Sequence, residues 1–175
     1  MDINYNAFIF LVTEKNNKYR VMLVRPTYST NKSFGIPGGK SDNTFSMSET
    51  PLMTMQREFN EETTNIITTD ELILYNFKIF YYEPTNAYIY YGIIPHKKLK
   101  EGPIYNSYMD EIDYIYNLDI KKIFKYKNNK LIFNNNYTIK FRNNIYYPLR
   151  KAMINSLKEM IKDKKFKRFI IDLLV

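Results

Sequence analysis

Glycine is scarce in this chain, and three of its five glycines fall in one short stretch, Gly35-Ile36-Pro37-Gly38-Gly39. Such a cluster marks a point where the backbone needs dihedrals closed to other residues, or where another group approaches it closely. The fold has to be arranged around that point. Before it lie two runs rich in β-branched and aromatic residues, 7–13 (AFIFLVT) and 19–25 (YRVMLVR), joined by a polar segment with Asn16-Asn17 at its centre. That pattern reads as a hairpin. After it, residues 48–63 read as a helix, with Ser48 as N-cap, Pro51 in the first turn, and Leu52, Met55 and Phe59 on one face.

Further along, residues 71–82 and 87–94 read as a second strand pair around Glu83-Pro84-Thr85-Asn86. Residues 111–116 read as another strand, and 119–124 as a short helix with Asp119 near its start. The Asn/Lys-rich stretch 125–144 suggests a peripheral hairpin. The C-terminus carries two helical stripes, Leu149, Met153, Leu157 and Met160, then Phe166, Phe169, Ile170 and Leu173, divided near Asp163. These stripes read as core or as a partner-facing surface. Strands interspersed with helices predict an α/β sandwich, and 175 residues suit one domain.

Composition narrows the chemistry. The chain has no Cys and one His, His96, so thiolate catalysis, Cys-ligated zinc and disulfides are excluded, and a histidine-based triad or metal site is disfavoured. Acid–base or metal chemistry must come from carboxylates, Lys, Tyr or water. The N-terminus has no basic region or cleavage site of a signal peptide, and no stretch approaches the ~20 apolar residues of a membrane span. A soluble, cytoplasmic protein is therefore expected. The charge is uneven: residues 1–120 hold 11 basic against 15 acidic side chains, and residues 121–175 hold 15 against 3. A basic C-terminal third suits a polyanion such as RNA, or is simply a solvated lysine-rich surface. The 17 Tyr and 12 Phe could serve base stacking, although an A/T-rich coding genome also accounts for them.

The informative segment is Glu49, then Arg57-Glu58-Phe59-Asn60-Glu61-Glu62 eight residues on. Residues three and four apart share a helix face, so Glu58, Glu61 and Glu62 converge, and like charges at i,i+4 repel. A cation between them relieves that repulsion, and oxygen ligands without His or Cys select Mg2+, or Mn2+ in its place. Arg57 faces Glu61 at i+4 and can fix the carboxylates. The plainer alternative is an exposed acidic surface.

Taken with Gly38-Gly39-Lys40 upstream, these residues resemble the Nudix box, Gly-x5-Glu-x7-Arg-Glu-hydrophobic-x-Glu-Glu-x-Gly-hydrophobic, with Glu49, Arg57, Glu58, Phe59, Glu61 and Glu62 in register. There are two departures. Nine residues instead of five separate Gly39 from Glu49, and Thr64 stands where the box has Gly, so that Asn65 is the candidate left-handed cap. The resemblance implies a Nudix-type α/β/α sandwich with a mixed sheet and C-terminal helices. It also implies one domain over 1–175, with a catalytic core to about 125 and a basic hairpin and helical part over 126–175.

The resemblance further implies a pyrophosphohydrolase acting on a nucleoside diphosphate linked to a second group. Glu58, Glu61 and Glu62 would be metal ligands, Glu49 an auxiliary ligand and Arg57 their organiser. Gly38, Gly39 and Lys40 are candidates for touching the diphosphate. In the segment around Asp110 and Glu111, Glu111 is the better match to an additional acidic residue that some members use as ligand or base. The general base stays open among Glu62, Glu49 and Glu111.

The box defines a reaction rather than a substrate. Its REF-x-EE-T form resembles the mRNA-decapping Nudix enzymes of large DNA viruses, which implies capped RNA as substrate, release of a nucleoside diphosphate and a host cytoplasm. A small-molecule enzyme for ADP-ribose, dinucleoside polyphosphates or nucleotide sugars is the second reading, and a non-catalytic binding module the third. Many family members dimerise, and the sequence leaves the oligomeric state open.

Overall fold

The computed structural model describes residues 4–27, 32–42, 48–95, 99–104 and 112–175. The N-terminal hairpin forms as expected, from β1 (Asn6–Lys15) and β2 (Lys18–Pro26). Asn16 and Asn17 at its tip take φ of 54° and 58°. That left-handed pair makes a tight turn whose twist matches the strands, and Asn tolerates it better than any other residue with a Cβ.

β1 then becomes the axis of a mixed sheet. It runs antiparallel to β2 and to β3 (Gly38–Lys40), and parallel to β5 (Ala87–Pro95). The order across the sheet is β4 (Lys78–Tyr82), β5, β1, β2, β7 (Ile112–Asp119), β6 (Gly102–Pro103), with β3 paired to β1 off that path.

Alternation along β1 and β2 explains why both faces are covered. Ala7, Ile9, Leu11, Met22 and Val24 pack with Met55 and Phe59 of α1 (Pro51–Thr63). Phe10, Val12, Val21 and Leu23 pack on the other face with α4 (Lys151–Met160) and α5 (Lys164–Leu174). This is the expected sandwich of helices on both faces of a mixed sheet. The aromatic load fills the second layer: Phe166 meets Phe10 at 5.5 Å and Tyr91 at 5.0 Å between ring centroids, both edge to face. A fully buried ring of this size contributes about 2–3 kcal/mol relative to exposure. Both C-terminal stripes lie in this core through Met153, Leu157, Met160, Phe166, Ile170 and Leu173, and Asp163 is the N-cap of α5.

Four local readings are corrected. The segment read as a strand over 71–82 begins as a helix, α2 (Thr69–Leu74), because Thr68 and Glu71 close a reciprocal capping box; only β4 is extended. The N-cap of α1 is Thr50 rather than Ser48, its side chain accepting from the Met53 N–H, so that Pro51 becomes the first helical residue. The hairpin expected over 125–144 does form, from β8 (Phe124–Lys127) and β9 (Lys130–Phe133), but it covers only the first part of that stretch; β10 (Thr138–Lys140) pairs onward with β11 (Tyr146–Pro148). At the end of α1, Thr64 itself takes the left-handed conformation, φ 57°, and not Asn65. The short helix near 120 is α3 (Ile120–Ile123), capped by Asp119. Among the described residues no helix is long and apolar enough to cross a membrane.

Candidate active site

The glycine pair lets α1 lie directly on β3. Gly38 has φ +144°, and a Cβ there would sit 2.3 Å from the Ala7 carbonyl oxygen and 2.5 Å from the Phe8 Cα, so no side chain fits. A Cβ on Gly39 would fall 2.4 Å from the Glu58 carboxylate carbon. The Gly38 N–H donates to Oε2 of buried Glu62 at 2.8 Å. Glu58 and Glu62, one helical turn apart, thus rest over two successive residues of the strand.

Arg57 draws the remaining carboxylates together. Its Nε donates to Glu49 Oε1 at 2.7 Å, and Nη2 to Glu49 Oε2 at 3.1 Å and to the Lys40 carbonyl at 3.0 Å. Nη1 donates to Glu58 Oε1 at 2.7 Å and to Glu61 Oε2 at 3.1 Å. One guanidinium therefore engages three carboxylates and the backbone at the end of β3, a use of several fixed donors that a lysine could not reproduce. The hydrogen bond to Glu49 raises Arg57 further above its usual range. Glu49 is lowered to about 2, mainly by the Arg57 hydrogen bond against the opposing effect of burial, with help from the Asp42 N–H and the Thr54 hydroxyl. The Glu49 backbone is held as well, its carbonyl accepting from the Tyr5 hydroxyl.

Glu49, Arg57, Glu58, Glu61, Glu62, Gly38 and Gly39 are thus brought to one place. Lys40 is there through its carbonyl while its side chain is exposed. Glu111 and Asp110 lie outside the described residues, as do residues 43–47 of the loop between β3 and α1. Their neighbour Asp113 is committed elsewhere: burial pushes its carboxyl up, but hydrogen bonds from Arg25 at 2.6 Å and Lys32 at 2.9 Å outweigh that and hold it below its ordinary value.

Sequence reading passed over Arg150, the N-cap of α4, which feels the charge of Glu62. No local motif announces it, since it reaches the site from far along the chain.

Among the described residues no three His, Asp or Glu side chains form a ready cage for a metal ion. The residues present nevertheless suit a hard divalent cation in kind. The donors are carboxylate oxygens only, Glu58 and Glu61 are held on the same Arg57 nitrogen, and the missing Cβ of Gly39 leaves the Glu58 carboxylate room.

No family model matches the sequence, and no curated protein matches it. Solved structures do. A MutT/nudix family protein from Enterococcus faecalis superposes with a TM-score of 0.54 over 98% of this chain and 68% of its own, at 13% identity. The chain has the MutT/nudix fold. A mutT/nudix family protein from Listeria innocua matches over 98% of this chain and 99% of its own, at 15% identity and a TM-score of 0.48. An Ap4A hydrolase from C. elegans matches over 66% of this chain and 80% of its own, at 15% identity and a TM-score of 0.45. Within the MutT/nudix fold of this chain, the carboxylates sit on helix α1 and just before it, packed against strand β3.

Proposed function

We propose that the chain is a divalent-metal-dependent pyrophosphohydrolase of the Nudix type, cleaving the diphosphate of a nucleoside diphosphate linked to a second group, with the capped 5′ end of RNA as the favoured substrate. The observation that carries this reading is the gathering of Glu49, Glu58 and Glu61 on Arg57 over the Gly38-Gly39 strand. An acidic surface with no role has no need to hold its carboxylates in one bouquet.

Glu58, Glu61 and Glu62 would hold Mg2+ or Mn2+, which when bound neutralises phosphate oxygens and lowers the pKa of a bound water. Arg57 keeps Glu58 and Glu61 at one location before the cation arrives. Glu49, fully engaged and lowered to about 2, is a poor proton acceptor and serves to anchor Arg57, which leaves Glu62 or Glu111 as base. Because the Gly38 N–H is given to Glu62, Gly38 acts by placing that carboxylate, and Lys40 is the better placed to meet the diphosphate.

RNA is favoured by the basic side of α5, where Lys164, Lys165 and Arg168, the last bridged to Asp172 at 2.8 Å, line with Lys78 of β4 a depression of about 430 Å3 beside Phe169. Cations with an interleaved ring suit a phosphate backbone and a stacked base. The second reading is a small nucleotide compound such as ADP-ribose, a dinucleoside polyphosphate or a nucleotide sugar. It is favoured by a cavity beside the site, described below.

Incubation with Mg2+ and a panel of capped RNA, ADP-ribose, diadenosine polyphosphates and dNTPs tests the reading. The expected result is release of a nucleoside diphosphate from capped RNA, abolished by chelation and by Glu61→Gln with the fold intact. Hydrolysis at the wild-type rate by Glu61→Gln would show that the carboxylates are not metal ligands.

A further inference from the structure

A cavity of about 450 Å3 opens on the face of the sheet away from α1, at the same end as Gly38. Phe8, Ile36, Tyr82 and Met153 give it an apolar wall, and Asn6 and Ser156 add polar groups. The size and lining suit one nucleotide-sized molecule with an aromatic ring.

Arg150 stands in this wall. Its backbone is pinned by the N–H donating to the Phe34 carbonyl at 2.6 Å, and its stem lies over Gly35, where a Cβ would come within 3.3 Å of it. Burial pulls the guanidinium below its usual range, and the charge of Glu62 opposes that pull. Among the described residues the guanidinium has no hydrogen-bond acceptor and no carboxylate at ion-pair distance, which sets it apart from Arg25 and Arg57. A half-buried arginine whose donors are left to the cavity suits an anion, and its planar fork matches phosphoryl oxygens.

We propose that this cavity seats the nucleoside half of the substrate, with its base against Tyr82 and Phe8 and its phosphates on Arg150, directed round Gly38 toward the carboxylates on α1. The proposal rests on the hydrolase reading for what happens to the bound compound, but not for the binding itself.

The test is calorimetric titration of ADP and GDP, with adenosine and guanosine alongside, in chelator so that no metal contributes. Wild type is compared with Arg150→Met, Arg150→Lys and Tyr82→Ala. Arg150→Met keeps the stem and removes the charge, so it should melt no lower than wild type while weakening diphosphate binding tenfold or more. Arg150→Lys should recover part of the loss. Tyr82→Ala should weaken nucleosides and nucleotides alike. Diphosphate binding unchanged in Arg150→Met, or no binding by wild type, overturns the proposal, even where the hydrolase activity stands. Arg150-dependent binding without turnover of any panel compound upholds the cavity and refutes the hydrolase reading instead.

Discussion

Replacing Glu49 by Gln would separate the anchor of the site from its chemistry, because the stability that Glu49 contributes depends on pH in a defined window. In the folded chain its carboxyl is lowered from 4.5 to about 2, chiefly by the hydrogen bond from Arg57. At ~1.4 kcal/mol per tenfold change in proton affinity that drop corresponds to about 3 kcal/mol, which solvent screening of this partly exposed pair reduces to about 1–2 kcal/mol. A carboxyl whose folded pKa is depressed stabilises the fold above its unfolded value, and the contribution is lost as pH falls through the folded one. The gap between wild type and Glu49→Gln should therefore be full at pH 7, begin to close below about 4.5 and vanish near 2. Urea unfolding in chelator at pH 7, 4.5 and 3 reads it out. A gap that stays constant across the series would refute the argument, since it would mean that Glu49 acts through packing and not through its charge on Arg57.

Thr64→Gly should raise stability by about 0.5–1 kcal/mol: a β-branched residue at φ 57° costs about 1–2 kcal/mol, part of which Gly returns through unfolded-state entropy. The exposed Thr64 side chain loses little, so thermal unfolding should move up by about 2–3 °C. Gly39→Ala puts a methyl into the Glu58 carboxylate, a flexible end that can yield, so turnover should fall at least tenfold while the melting temperature changes little. Neutralising Lys164, Lys165 and Arg168 together should flatten the salt dependence of RNA binding by about 2–3 in logarithmic slope and leave hydrolysis of a small nucleotide unchanged.

The parts legible in the sequence were those governed by local rules. Alternation fixed the faces of β1 and β2, the 3.6-residue stripe identified α4 and α5, and i,i+4 geometry placed Glu58, Glu61 and Glu62 on one face of α1. The capping box at Thr68 and Glu71 was also written locally, but a strand reading of the aromatic run that follows extended over it. Thr64 misled for another reason: the register of the box requires a left-handed residue there, and the fold enforces it against the preference of the side chain. Arg150 was illegible because its meaning comes from Gly35, Phe34 and Glu62, all distant in sequence.

The parallel pairing of β1 with β5 also bears on how the chain is made. Asn6 meets Ala87, 81 residues later, so a ribosome working at roughly 5–20 residues per second leaves that edge of β1 without its partner for about 4–16 s. During that time the nascent chain presents Phe8, Ile9, Phe10 and Leu11 as an open apolar edge, a target for holding chaperones and for other nascent copies.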